Sequence, residues 1–301
     1  MFDFRYHALS LVAVFLALAI GLLLGVAVGD SGLVSSAKED IEASLRADVR
    51  AAQAESADLR AQLDEQRAYE EQTFPDLVAN RLVADRIGLL FLGGADDSQV
   101  DRVREAIEPA GAELRWVGVV NEPPDLAELA DRAQDTRFGA LDGDADLLGA
   151  FAQRLGLGLA DGSPLLREVR PALMRSFSGD LGPVEAVVVA RSPERADESE
   201  EQAGTTDTLE SGLLRGLDRA DVTVVGVEEL DTEPSQVGWY RDHDLASVDS
   251  IDRLSGRAAL VFALAGADGA YGVKSSAEAL LPRVVAEAGG GGGGSGGRSR
   301  P

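Results

Sequence analysis

"RIGLLFLGGADD", residues 86–97, decides how the larger part of this chain is read. Ile87 to Leu92 show no polar–apolar alternation, which marks a strand buried on both faces. Gly93-Gly94 supply a turn, Asp96 or Asp97 can cap a helix, and "SQVDRVREAIEPAG" (98–111) is amphipathic with a glycine at its end. Strand, turn and helix in that order predict one βα unit. Downstream, "AELRWVGVV" (112–120), "VEAVVVA" (184–190), "VTVVGV" (222–227) and "AALVFALAG" (258–266) read as further buried strands. Helical patterns fall at 125–134, 145–155, 164–176, 206–220 and 276–288. Strands alternating with helices predict an α/β, Rossmann-like layered domain with a mainly parallel sheet over residues 73–288. Two stretches read as surface loops: the acidic 191–207, and 231–249, which holds Trp239 and Tyr240 amid charge. "GLGLADG" (156–162) reads as a turn, and residues 289–301 as a flexible Gly-rich tail.

Upstream the chemistry changes twice. From Ala8 to Gly29 no residue is charged and Ser10 is the only polar side chain. That run is long enough to cross a hydrocarbon core of roughly 30 Å as a helix. Residues 1–30 are therefore expected to be an uncleaved transmembrane signal anchor. Arg5 and His7 precede the span and Asp30 follows it, so the positive-inside rule puts the N-terminus in the cytoplasm and the rest outside. Ala13, Ala17, Gly21, Gly25 and Gly29 repeat every fourth residue and form one ridge of small side chains. In lipid, association between helices depends on close backbone approach, so the ridge predicts a self-association face.

Residues 31–72 are rich in Ala, Glu, Arg, Gln and Leu and predict a helical stalk. A heptad frame places Leu45, Ala52, Leu59 and Gln66 at d, with Val49, Ser56, Leu63 and Glu70 at a. The apolar members, Leu45, Val49, Ala52, Leu59 and Leu63, are the expected coiled-coil seam. Ser36 and Glu39 have capping-box spacing, Pro75 is expected to end the helix, and "PDLVANRLVAD" (75–85) to form a short one. A homo-oligomer joined through anchor and stalk is the expected assembly, with the lipid bilayer as its first partner.

The totals narrow function further. With 52 acidic against 28 basic side chains the formal charge is −24, which disfavours nucleic acid as a partner. The chain has no cysteine, two methionines (Met1, Met174) and two histidines (His7, His243). Thiolate sites and a Met-rich copper(I) track are thereby excluded. Gly93-Gly94 fall short of the dinucleotide fingerprint, with Asp96 and Asp97 standing where a phosphate would approach. Asp142, Asp144 and Asp146 open like a calcium loop, but Leu147 and Gln153 occupy its most demanding places, so helix capping is the expected use. His243, between Asp242 and Asp244, reads as a charged loop histidine. No G-x-S-x-G elbow occurs, and no enzymatic activity and no cofactor are expected.

"FRYHALSLVAVFLALAIGLLLG" at the N-terminus resembles the opening of the MctB-type copper transport protein family. "PDLVANRLVADRIGLL" is similar to that family's entry into its first strand, and "GRAALVFALAG" with "GAYGVKSSAEALLPRV" to its C-terminal pattern. The resemblance implies a hydrophobic N-terminal segment, a coiled coil, an α/β-like domain and a role in copper homeostasis. Copper would be a transported ion, for which no ligand set is identifiable. Some relatives are tied instead to cell separation through an envelope protein partner. The alternative reading is accordingly a non-catalytic envelope scaffold that binds such a partner.

Overall fold

The computed structural model describes residues 4–29, 33–141, 145–193 and 199–283. The chain divides into two units, residues 1–69 and 70–301. Helix α1 (Phe4–Gly29) and most of α2 (Leu33–Val78) make up the first. Exposed pairs one turn apart, such as Arg46–Glu42 at 2.9 Å and Arg67–Asp64 at 3.7 Å, line α2. The helix starts at Leu33, so Ser36 lies in its first turn and not at its cap. It also continues three residues past Pro75, contrary to expectation. Phe74 and Val78 flank that proline and are buried in the core of the second unit, which offsets the hydrogen bond the proline cannot make. Turns follow in place of the expected short helix, with Asn80 and Ala84 at positive φ.

The second unit is built on seven strands: β1 (Arg86–Leu92), β2 (Glu113–Val120), β3 (Met174–Gly179), β4 (Ala186–Arg191), β5 (Thr223–Val227), β6 (Ala246–Val248) and β7 (Ala270–Tyr271). Their order is β3-β2-β1-β4-β5-β6-β7, and every pairing is parallel except the outermost β2–β3. Helices cover both faces: α3 (Asp97–Ile107), α4 (Leu126–Arg132), α5 (Ala145–Asp161), α6 (Pro164–Leu173), α7 (Glu200–Arg219), α8 (Val237–Asp242) and α9 (Leu254–Leu264). Leu90, Leu92, Val187 and Val189 point into one apolar layer, with residues of α4 to α7. Ile87, Leu89, Phe91 and Val188 point into the other, with α3, α9 and the end of α2. Two covered faces explain why β1 and β4 read as unbroken apolar runs. Within the sheet, Gly88 makes room for Trp116, whose ring lies 2.2 Å from where a Cβ would stand.

Several expectations are corrected. Residues 258–266 fall mostly in α9: an Ala-rich run buried all round has no polar face to betray a helical period. The expected helix 164–176 ends at Leu173, where the chain turns into β3. Residues 276–283 hold turns, bends and a bridge from Ala279 to Tyr271, not the start of a helix, and 284–288 lie outside the described residues. The acidic stretch 191–207 is helical from Glu200, opened by a capping box of Ser199 and Gln202. The charged stretch 231–249 holds α8 and β6, with Tyr240 fully buried. Asp142, Asp144 and the side chain of Asp146 are outside the described residues.

Residues 156–161 continue α5 where a turn was expected, and the reason is packing. Gly156 lies against Gly216 of α7, a Cβ on Gly216 would meet the Gln153 carbonyl oxygen at 2.3 Å, and one on Gly212 would meet the Ala152 side chain at 2.3 Å. Gly212 and Gly216, four residues apart, let α5 and α7 cross with their backbones touching.

Candidate functional site

Helix α1 offers the first candidate. Arg5–Ala27 is long and apolar enough to cross a membrane, with a mean hydropathy of 2.8, and none of that stretch is buried within the chain. Ala13, Ala17, Gly21, Gly25 and Gly29 wind along it at four-residue spacing, and a side chain added at any of the three glycines would meet nothing within 4 Å. Ala17 and Gly21 share a shallow groove with Val14, Leu18 and Leu22. On α2, Leu45, Val49, Leu59 and Leu63 are 47–60% exposed and Ala52 is exposed as well. Both sets lie exposed on their helices.

The carboxyl ends of the parallel strands form the second candidate. The chain leaves β1 towards β2 on one side and later returns to β4 on the other, and such a reversal opens a crevice in layered sheets. Here the crevice has a volume of about 320 Å³ and is lined by Gly94 and Asp96 after β1, Arg191 at the end of β4 with Ser192 after it, and Glu228 and Thr232 after β5. Asp96 accepts a hydrogen bond from the Ser98 amide at 2.8 Å, so the N-terminus of α3 is filled by a side chain of this protein. That placement disfavours phosphate at this helix end.

A buried polar network lies beneath the crevice. Glu228, 1% exposed, accepts from Lys274 Nζ and Ser235 Oγ, each at 2.7 Å, and from the Gln236 amide. Asp249 accepts the amides of Val273 at 2.8 Å and Lys274 at 3.0 Å. Glu210, fully buried, takes Arg191 Nε at 3.2 Å, while the same guanidinium bonds Gln236 and lies over the Trp239 ring. The Tyr240 hydroxyl donates to the Val227 carbonyl at 2.9 Å and accepts from the Arg191 amide at 3.0 Å. Burial pushes the Tyr240 phenol well above its ordinary value, so it stays protonated. These residues lie between 191 and 274, and no local motif announced them. Their side chains are committed to one another, which fits them to hold the loops in place. Among the described residues, no group of three or more His, Asp or Glu is arranged to hold a metal ion.

None of the curated proteins matches this chain. One family model does, and it covers residues 1–282, from the apolar helix through the last strand of the sheet. Its description is "Copper transport outer membrane protein, MctB". A match across nearly the whole chain, joined to an N-terminal helix able to span a membrane, makes this protein a member of the MctB family.

Proposed function

We propose that the protein is a membrane-anchored component of copper transport or copper homeostasis in the cell envelope, held by α1 with its N-terminus in the cytoplasm and its α/β unit outside. The observation that carries this reading is the family match, because it includes the anchor as well as the sheet. The strand order, running outward from β1 to both sides, supports reading the second unit as Rossmann-like. The open small-residue ridge on α1 and the exposed seam on α2 support a homo-oligomer, with α2 as a coiled coil. In the heptad frame Glu55 at g faces Arg60 at e of a second copy only when the helices run parallel. A parallel pair also brings both anchors to the same end.

The residue inventory favours a second reading, a non-catalytic scaffold that presents the α/β unit to an envelope protein partner. A chain without cysteine and with two methionines and two histidines has few groups with which to handle copper directly. Deleting the gene and measuring cellular copper separates the two. Raised copper, restored by the intact chain, supports transport. Unchanged copper with altered division or envelope morphology overturns it in favour of the scaffold.

A further inference from the structure

The amino-terminal edge of β5 and β6, opposite the crevice, borders a cavity of about 590 Å³. Ser211 of α7 and His243, just past α8, both line it. The two residues lie 32 positions apart in sequence, and their side chains meet: Ser211 Oγ is 3.0 Å from His243 Nε2. The other ring nitrogen, Nδ1, lies 2.9 Å from the Trp239 carbonyl oxygen. A carbonyl can only accept, so Nδ1 carries a proton, and in the neutral imidazole Nε2 is then the acceptor of the serine hydroxyl. The imidazole also lies against the Trp239 ring, 4.1 Å between centroids, which fixes its plane. Nucleophile, base and orienting group thus follow one another by hydrogen bonds beside a cavity, the sequence of contacts an activated serine requires.

We propose that Ser211 is a nucleophile activated by His243 and that the cavity takes a small carboxylic ester without negative charge. Ser211 Oγ adds to the ester carbonyl carbon as its proton passes to Nε2. The bond to the leaving alcohol breaks, and that oxygen takes the proton from Nε2. Water, deprotonated by the same nitrogen, then releases the acid and restores the serine. Arg215, one helical turn beyond Ser211, lines the same cavity and supplies positive charge for the developing oxyanion. Asp218, Asp242, Asp244 and Asp268 line it too and turn away anionic esters. This activity goes beyond the proposed envelope role and does not depend on it.

The test is a fluorophosphonate probe on the full chain in detergent, read by intact mass and peptide mapping, with p-nitrophenyl acetate as competing ester. The expected result is a single adduct on Ser211, absent from Ser211→Ala, slowed by p-nitrophenyl acetate, and formed about a hundredfold more slowly in His243→Gln. Thermal unfolding of each variant shows that the fold is kept. An unlabelled wild type under excess probe overturns the proposal. So does an adduct that persists in Ser211→Ala, or a His243→Gln variant that folds and labels at the wild-type rate. Those last results leave the contact as a tie between α8 and α7.

Discussion

The same substitution at two glycines of one helix should move stability in opposite directions. Gly204 and Gly216 both lie in α7. Alanine is favoured over glycine in a helix by about 1 kcal/mol, through the smaller loss of backbone freedom on folding. A Cβ at Gly204 would meet nothing within 4 Å, so Gly204→Ala should gain up to about 1 kcal/mol. At Gly216 the new methyl would stand 2.3 Å from the Gln153 carbonyl oxygen and 2.6 Å from the Gly156 Cα. Both are backbone atoms of α5, and no rotamer change relieves them. Ordinary contact begins near 3.4 Å, so the helices must part by about 1 Å, and overpacking of this kind costs about 1–3 kcal/mol. Set against the propensity gain, Gly216→Ala should lose up to about 2 kcal/mol. Each kcal/mol moves the melting midpoint of a domain this size by about 2–4 °C. Differential scanning calorimetry of the two variants beside the parent chain reads both shifts. If Gly216→Ala melts at or above the parent temperature, the backbone-contact account of this crossing is wrong.

Three further outcomes follow from other elements. Changing Gly21 and Gly25 to Leu should reduce cross-linked oligomer of the full chain in membranes; undiminished oligomer would make the ridge ordinary lipid-facing surface. Lys274→Met strands Glu228 in the interior and should destabilise by about 3–5 kcal/mol, whereas Lys274→Met with Glu228→Gln should recover much of that in urea titrations. At the amino-terminal edge of the sheet, the hydrogen bond from Arg86 to Glu185, 2.6 Å at its shortest, holds that carboxyl below its ordinary range. A lowered carboxylate adds stability above its unfolded pKa and loses it as pH falls through the folded one. Glu185→Gln should therefore flatten the acid limb of a stability–pH profile, by under about 1 kcal/mol because the pair is partly exposed. An unchanged limb would mean that the pair contributes nothing.

Legibility in the sequence followed how local each signal was. β1, β2, β4 and β5 were readable because each fills two covered faces with a short apolar run. The same rule misread α9, whose Ala259 to Leu264 are buried on every side and so display no period. β3, "MRSFSG", looked like a helix end because an exposed antiparallel edge strand needs few apolar residues. β6 keeps only Ala246–Val248 inside a charged stretch, and its partners lie far along the chain. The four-residue spacing of small side chains on α1 and the heptad spacing of apolar ones on α2 are periodic, and so legible in the sequence. Arg191, Glu210, Glu228, Asp249 and Lys274 meet only through the fold, and so do Ser211 and His243. No spacing rule joins residues whose proximity is made by a sheet.

Asp96 at the start of α3 and Lys274 beside Glu228 leave the carboxyl edge of the sheet supplied with its own counter-charges. Removing either one unsettles the loops from within, Asp96 through the first turn of α3 and Lys274 through the buried Glu228.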